Sequence, residues 1–319
     1  MVVVKKAFLA MVLVLLISFI SGCAQNEKTG KGTDDDSPVS LEWKVSGDYT
    51  LSGTSRGITP YGIALLQDSV FICDMDDHCL REFDFNGKEL RTVGQLGNGN
   101  GEFIRPTGLS YSNESFYVVD SGNNRIQILD KDLEYQQEYI LDQLSRDIGT
   151  FYTDIAVDKD GTGIVLTNSV VQENARAYVF DSNGSVQKTS FVINGYASCV
   201  DNRIYCVNTF ELFKDGTSHV GEVKDSKLFE YTNSNIREIC ELPYKYAPTD
   251  FVIDGDDLYV LSCGWAQLDH FKTDGSYIET IWEFEQLDPE SFLERTPQGG
   301  FIVTDGQNKT VYFLSRKSD

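Results

Sequence analysis

The sequence predicts an all-β protein, a six-bladed β-propeller of four-stranded antiparallel blades whose ring is closed by an N-terminal strand. The main observation is a repeat, because a short β-branched and aromatic run that ends in a small polar residue occurs six times. These end residues are Asp74, Asp120, Asn168, Asn208, Ser262 and Asp305. They lie 46, 48, 40, 54 and 43 residues apart, which is the period of a four-stranded blade.

The remaining strands of each unit follow from the residues around these runs. A second strand comes after each run, as in Ile126 to Asp130. In most units a polar turn follows, such as Asn86-Gly87 or Asn183-Gly184, whose glycine supplies the positive φ that hairpin turns need. A third strand lies beyond that turn, and another precedes each repeated run. Each unit therefore has four strands.

The closing strand is predicted from the two ends of the repeat array. The sixth unit has a strand at Val311 to Leu314 but no further strand before Asp319, which leaves an open sheet edge. Residues 41–51 precede the first unit and carry strand-like residues that have no partner of their own. We therefore expect residues 41–51 to complete the sixth blade.

These segments resemble the NHL family of six-bladed β-propellers. The similarity is strongest over residues 94–130, which are also similar to bacterial six-bladed propeller lipoproteins with a Gly-rich turn ending in Gly-Glu-Phe, here Gly101 to Phe103. In that family an Asp, an Asn and an Arg, matched here by Asp120, Asn124 and Arg125, brace the turn between blade strands. The resemblance implies the same structural role here, with Asp74 and Asp305 in the equivalent places.

The N-terminus resembles a lipoprotein signal. Lys5 and Lys6 precede an apolar run and the sequence Ile-Ser-Gly-Cys that ends at Cys23. A run of about 14 apolar residues is too short for a membrane-spanning helix, which needs about 20. The sequence therefore predicts a signal peptide at 1–22, a lipidated Cys23 with a disordered tether over 23–40, and the propeller at 41–319. Such a tether reaches roughly 20 to 25 Å, so we expect an extracytoplasmic, membrane-anchored protein.

The charge of the chain limits its partners. Removal of the two leader lysines reduces 27 basic residues to 25, against 49 acidic residues, so the net charge becomes about −24. Nucleic acid is excluded as a partner because its phosphates need Lys and Arg. The acidity fits either simple solubility or cation binding.

Six cysteines follow Cys23, and an even number outside the cytoplasm permits disulfides. Cys73 and Cys79 flank one turn, and Cys199 and Cys206 flank another. Disulfides and free buried thiols are both compatible with these positions.

The predicted ligand site lies on the top face, defined as the end of the propeller at which the innermost strands begin. The longest connections gather there, including 209–224 and the Gly-rich segment 94–102, as is typical of the binding side of a repeat protein, although neutral loop drift also explains them. The predicted ligand-binding residues are Tyr61, Arg105, Thr107, Asp154, Tyr196, Phe210, Phe213, Asp250 and Trp265. We expect Phe210, Phe213 and Trp265 to flank a groove as exposed aromatic anchors, with Arg105 on the opposite rim and Tyr61, Tyr196, Asp154 and Asp250 as the floor. Thr107 is predicted to enter its innermost strand at the position equivalent to Asp154 and Asp250.

The sequence offers two places for a metal ion. The acidic residues Asp154, Asp250 and Glu294 are predicted to ring the channel, where they would offer oxygen ligands to Ca²⁺ or remain hydrated. Some propellers of the resembled type are lyases with a zinc held by three histidines. Here His270 falls in the third strand of blade 5, about 10 Å from the channel wall, so the three histidines cannot share one ion.

The sequence thus predicts a lipid-anchored extracytoplasmic binding or scaffolding module that recognises a protein or a polar or carbohydrate ligand. We expect a monomeric propeller and assign no catalytic residue. Two alternatives stay open: a metal-dependent hydrolase or lyase of the propeller type, and a purely structural partner of a neighbouring envelope protein.

Overall fold

A computed structural model describes residues 45–142, 150–169, 175–191, 193–208, 226–232, 235–243 and 246–317. Cys23, Phe210, Phe213 and His219, together with the predicted signal and tether, lie outside these ranges. Within the ranges the chain forms twenty-four strands and one short 3-10 turn, Ser121–Asn123.

The strands are numbered in chain order. They are β1 Tyr49–Arg56, β2 Pro60–Leu66, β3 Ser69–Asp74, β4 Cys79–Asp84, β5 Glu89–Val93, β6 Pro106–Ser112, β7 Ser115–Asp120, β8 Arg125–Asp130, β9 Tyr135–Ile140, β10 Thr150–Val157, β11 Gly163–Ser169, β12 Ala177–Phe180, β13 Val186–Lys188, β14 Gly195–Val200, β15 Arg203–Asn208, β16 Lys227–Thr232, β17 Asn235–Glu241, β18 Pro248–Asp254, β19 Asp257–Ser262, β20 Gln267–Lys272, β21 Tyr277–Glu283, β22 Leu293–Arg295, β23 Phe301–Asp305 and β24 Thr310–Arg316.

The strands form six four-stranded antiparallel sheets, which confirms the predicted six-bladed propeller. Blades 1 to 5 are β2 to β5, β6 to β9, β10 to β13, β14 to β17 and β18 to β21, each in sequence order from the channel outwards. Blade 6 has the order β22, β23, β24 and β1. Apolar side chains pack between neighbouring blades; the rings of Phe71 and Phe116, for example, have centroids 4.7 Å apart.

The N-terminal strand closes the ring, as predicted, but its position was wrong. Pairing with β24 runs from Tyr49 to Arg56 rather than over 41–51, with a register shift between Leu51 and Gly53. Val45 instead forms a parallel bridge with Thr280 in the outermost strand of blade 5. The backbone N–H of Ser46 also donates to the Thr280 carbonyl, whereas the Asp48 carbonyl accepts the backbone N–H of Lys317 just after β24, so the contacts change from blade 5 to blade 6 between Ser46 and Asp48.

Asp120 braces its turn, as the family resemblance implied. Its Oδ1 accepts the backbone N–H of Ile104 at 2.7 Å, and its Oδ2 accepts Nε of Arg125 at 2.8 Å. The side-chain amides of Asn123 and Gln127 also donate to Oδ2 of Asp120, at 2.7 and 3.3 Å. Asn124 instead supplies a left-handed backbone conformation with φ of 53°. Blades 1 and 6 repeat the brace, with Arg81 on Asp74 and Asn308 on Asp305.

The described cysteines are all free. In the β3–β4 ladder Cys73 lies opposite Leu80 while Cys79 lies opposite Asp74, so the two thiols are one position out of register and point to opposite faces of the sheet. Cys199 and Cys206 share a face but lie opposite Ile204 and Ala197 respectively. The structure therefore has free thiols rather than disulfides at these four positions.

Candidate functional site: the central channel

The innermost strands β2, β6, β10, β14, β18 and β22 surround a central channel. A cavity of about 790 Å³ occupies the end of this channel at which these strands finish, called the bottom end here. Its lining combines apolar side chains such as Leu109 and Phe251 with serines and with the acids Asp154, Asp201, Asp250 and Glu294. Lys159 adds one basic group near the turn that follows β10.

The innermost strands β2, β6, β10 and β18 each have a register shift near their start, in β2 between Pro60 and Ile63. In β6, β10 and β18 this β-bulge decides which side chains enter the channel. The ladder register shifts between Pro106 and Gly108, between Tyr152 and Asp154, and between Pro248 and Asp250. The extra residue in each case is a threonine, at positions 107, 153 and 249. Gly108 is therefore the structural equivalent of Asp154 and Asp250, and the predicted equivalence of Thr107 with these acids was wrong by one residue.

The two channel aspartates connect neighbouring blades. Oδ2 of Asp154 accepts the backbone N–H of Ala197 in blade 4, and its Oδ1 accepts that of Ile155, both at 2.8 Å. Asp250 repeats this arrangement with Leu293 of blade 6 at 2.7 Å. Each acid thus joins its own blade to the innermost strand of the next.

Thr107 makes a similar connection between blades 2 and 3. Its hydroxyl donates to the Tyr152 carbonyl at 2.9 Å, and the side chain is buried. Of the predicted ligand residues, Thr107, Asp154 and Asp250 therefore all have a structural contact with the following blade.

The channel acids hold protons near neutral pH. Burial raises the pKa of Asp154 to about 7 and that of Glu294 to about 8, and the charge of Asp154 adds to the rise for Glu294. Burial, followed by the nearby Asp154, also raises the pKa of Asp250 well above its usual value. Since three acids of this kind share one cavity, they can both donate and accept hydrogen bonds there.

The top end of the channel is filled, contrary to the open groove expected there. Tyr61 and Tyr196 are buried, and their hydroxyl groups contact the segment that precedes β22. The Tyr61 hydroxyl donates to the carboxylate of Glu290, and the Tyr196 hydroxyl donates to the carbonyl of Pro289. Neither tyrosine is available as the floor of a top-face groove.

Trp265 and Arg105, which were predicted to lie on the rim of the groove, have different environments in the structure. Trp265 is buried rather than exposed, since only 6% of it is accessible and its ring packs edge-on against Tyr246 at 5.0 Å. Arg105 is exposed on the top face, as expected, and donates to Sδ of Met75 at 3.2 Å. The aromatic anchor proposed at Trp265 is therefore part of the core.

Metal ligands do not come together in the described part of the chain. No group of three or more His, Cys, Asp or Glu side chains there is arranged to hold an ion. His270 lies in β20, the third strand of blade 5, as predicted, and stacks on Tyr259 at 4.5 Å. His78 accepts the backbone N–H of Arg105 through Nδ1.

Sequence reasoning missed Asp288, Glu290 and Phe292, which fill the top end of the channel. The available signal was the acidic pair in Asp288-Pro-Glu290 directly before the sixth innermost strand. The periodicity of the blades does not locate such residues, because they belong to a connection rather than to a strand.

The fold and the channel define the class of this chain as a six-bladed β-propeller protein. Residues 58–198 match a protein family described as a 6-bladed beta-propeller, which agrees with the sheet order. No curated protein matches the chain in sequence.

Solved structures with the same fold include two lyases and a calcium-binding protein. A streptogramin B lyase aligns with a TM-score of 0.55 and 15% identity, over 84% of this chain and 97% of the lyase. Virginiamycin B lyase from Staphylococcus aureus gives 0.52 and 13%, over 84% and 100%. Regucalcin from Agrobacterium tumefaciens, a calcium-binding protein, gives 0.58 and 13%, over 82% and 92%. At these identities the likeness concerns the fold alone.

Proposed function

We propose that this protein is a lipid-anchored extracytoplasmic binding module that takes a small polar ligand into the bottom end of its channel. The observation that carries the proposal is the cavity of about 790 Å³ into which Asp154, Asp250 and Glu294 all project. Small-ligand sites are usually concave pockets of about 300 to 1,000 Å³ with a few convergent polar groups, and this cavity has that size and several such groups. This places the ligand at the opposite end from the top-face groove expected from the sequence.

The lining indicates the chemistry of the ligand. Acids with pKa values near neutral accept hydrogen bonds from an amine when ionised and donate to a hydroxyl when protonated. Glu294 is the best candidate for direct contact, because Asp154 and Asp250 already accept two backbone N–H groups each. A ligand with an amine or several hydroxyl groups, such as a polyamine or a sugar, fits this lining.

The cellular location is proposed from the sequence. Lys5, Lys6 and the apolar run before Cys23 have the pattern of a lipoprotein leader, and residues 94–130 are similar to bacterial propeller lipoproteins of NHL type. The described residues contain no helix that is long and apolar enough to cross a membrane. We infer that Cys23 carries the lipid and that the propeller stands just outside the membrane.

Isothermal titration calorimetry with two probes tests the binding proposal. Spermidine represents an amine ligand and maltose a polyhydroxyl ligand, each titrated at millimolar concentration into the propeller. We expect one probe to bind, and Glu294→Gln to weaken spermidine binding by about tenfold, as expected when one close charge pair is lost. Asp132→Asn is the matched control, because Asp132 is an exposed acid away from the channel. The absence of heat with both probes would argue against this ligand chemistry.

A further inference from the structure

The segment 287–292, called the strap here, crosses the top end of the channel. It leads from blade 5 into β22, and its contacts lie on two opposite sides of the ring. Tyr61, which contacts Glu290, belongs to β2 in blade 1, and Tyr196, which contacts Pro289, belongs to β14 in blade 4. Since blades 1 and 4 are opposite in a ring of six, a segment that reaches both must pass over the channel axis.

The strap places an aromatic ring in the channel. The ring of Phe292 lies 6.2 Å from that of Tyr61 and 5.2 Å from that of Tyr196, in the second case edge-on. Phe292 itself is buried, and its backbone N–H donates to Oγ1 of Thr304 at 3.0 Å. The three rings therefore form a plug between the top face and the cavity below.

Two acids within the strap lie close together. Asp288 is buried, Glu290 is partly exposed, and Oδ1 of Asp288 accepts the backbone N–H of Glu290 at 2.9 Å. Among the described residues, no lysine or arginine forms an ion pair with either acid; the Arg105 guanidinium faces Glu290 but donates to Met75. When both acids are ionised, their repulsion and their desolvation act against the closed position of the strap.

The other ionisable groups around the strap are mostly acidic. Glu290 is faced by Tyr61 and Arg105, and Asp288 is faced by Asp305 at the end of β23. Tyr196 is in turn faced by both strap acids, by Asp154 and by Cys263. Burial and Asp288 raise the pKa of Glu290 to about 7, while burial and Asp305 raise that of Asp288 to about 6. Both acids therefore change charge close to neutral pH.

We propose that the strap is a pH-responsive closure of the channel, closed while Glu290 is protonated and released from Tyr61 and Tyr196 once Glu290 and Asp288 are both ionised. Release moves Phe292 away from the axis and connects the top face with the cavity. The role of this closure in ligand access rests on the function proposed above, whereas the opening itself does not require any ligand.

Amide hydrogen exchange followed by mass spectrometry tests the closure without a ligand. After correction for the intrinsic pH dependence of exchange, we expect the amides of residues 288–293 to exchange about tenfold faster at about pH 8 than at about pH 5. Glu290→Gln keeps a neutral side chain that still accepts from Tyr61, so its strap should stay equally protected at both pH values. Tyr61→Phe removes the contact and should accelerate exchange already at about pH 5.

Two controls distinguish local opening from unfolding. Tyr139→Phe removes a comparable phenol contact, with the Ser182 carbonyl at 3.2 Å, and should leave the strap amides unchanged. The amides of β7 and β8 in the same experiment report the stability of the whole propeller. Equal protection of the wild-type strap at both pH values, an unaltered pH response in Glu290→Gln, or parallel acceleration in β7 and β8 would each overturn the proposal. Failure of spermidine and maltose to bind would leave this result unaffected.

Discussion

The carboxylate of Asp154 accepts a hydrogen bond from the backbone N–H of Ala197, with a distance of 2.8 Å between Oδ2 and the nitrogen. The two residues are 43 positions apart, about one blade, and Asp250 repeats the contact with Leu293 at the same separation. A side chain at the channel wall thus joins adjacent blades, at two places in the ring.

Removal of either aspartate should lower the stability of the propeller. Asp154→Ala leaves the amides of Ile155 and Ala197 without their acceptor, and loss of such buried hydrogen bonds costs about 1 to 3 kcal/mol of unfolding free energy. Urea unfolding at neutral pH measures this loss. Asp132→Ala, at an exposed turn outside the channel, serves as the control and should change little. Equal stability of the two variants would show that the connection between blades is unimportant.

Trp265→Ala should behave as a core truncation. Because Trp265 is buried against Tyr246, its removal is expected to cost about 3 to 5 kcal/mol of stability. Thermal and urea unfolding measure the effect, with Leu96→Ala as a control, since Leu96 is 62% exposed. A stable Trp265→Ala variant that has lost binding of a ligand would instead restore the role of Trp265 as an exposed anchor.

Glu294→Gln should change the pH dependence of stability. The pKa of Glu294 is about 8 in the folded protein, against an ordinary value of 4.5, so the unfolded chain loses this proton first. Stability therefore falls as pH rises between these values and is constant above them. Glutamine mimics the protonated acid, so the unfolding free energy of the variant should match that of the wild type near pH 4 and exceed it at pH 8. The expected difference at pH 8 is about 1 to 3 kcal/mol. This is less than the full pKa shift implies, because the side chain is partly exposed to solvent. An identical pH profile for both proteins would contradict this assignment.

Deletion of residues 45–56 should open the ring. The deletion removes β1 and exposes the backbone edge of β24 along its whole length, so we expect loss of cooperative unfolding or aggregation. Light scattering and thermal unfolding measure these outcomes. Deletion of residues 24–40 is the control, because it shortens the predicted tether but keeps β1. A cooperative, monomeric protein after the first deletion would refute the closure.

Cys23→Ser should abolish lipid attachment. Only a thiol accepts the diacylglyceryl group, so the variant is expected to keep its leader and to incorporate no radioactive fatty acid in cells. Cys199→Ser, which changes a thiol of the propeller itself, is the matched control and should remain labelled. Labelling of the Cys23→Ser protein would exclude Cys23 as the lipidated residue.

Much of the architecture could be predicted because it depends on local sequence patterns. The strand that ends at Asp120 has five counterparts at the spacing of one blade, which identifies six blades. The open edge of the last unit then requires one more strand. The brace of Asp120 by Arg125 joins residues five positions apart, so the local sequence also contains it. These features depend on strand periodicity and turn chemistry, which act over a few residues.

Which side chains line and fill the channel depends on the tertiary structure. The extra residue at Thr107 shifts the register by one position, and only the paired strands show that Gly108, not Thr107, is equivalent to Asp154. The contacts of Tyr61 with Glu290 and of Tyr196 with Pro289 join residues 229 and 93 positions apart. Such contacts, like the burial of Trp265, form only when the ring closes and brings the blades together, because burial and long-range hydrogen bonds depend on the packing of distant segments rather than on local sequence.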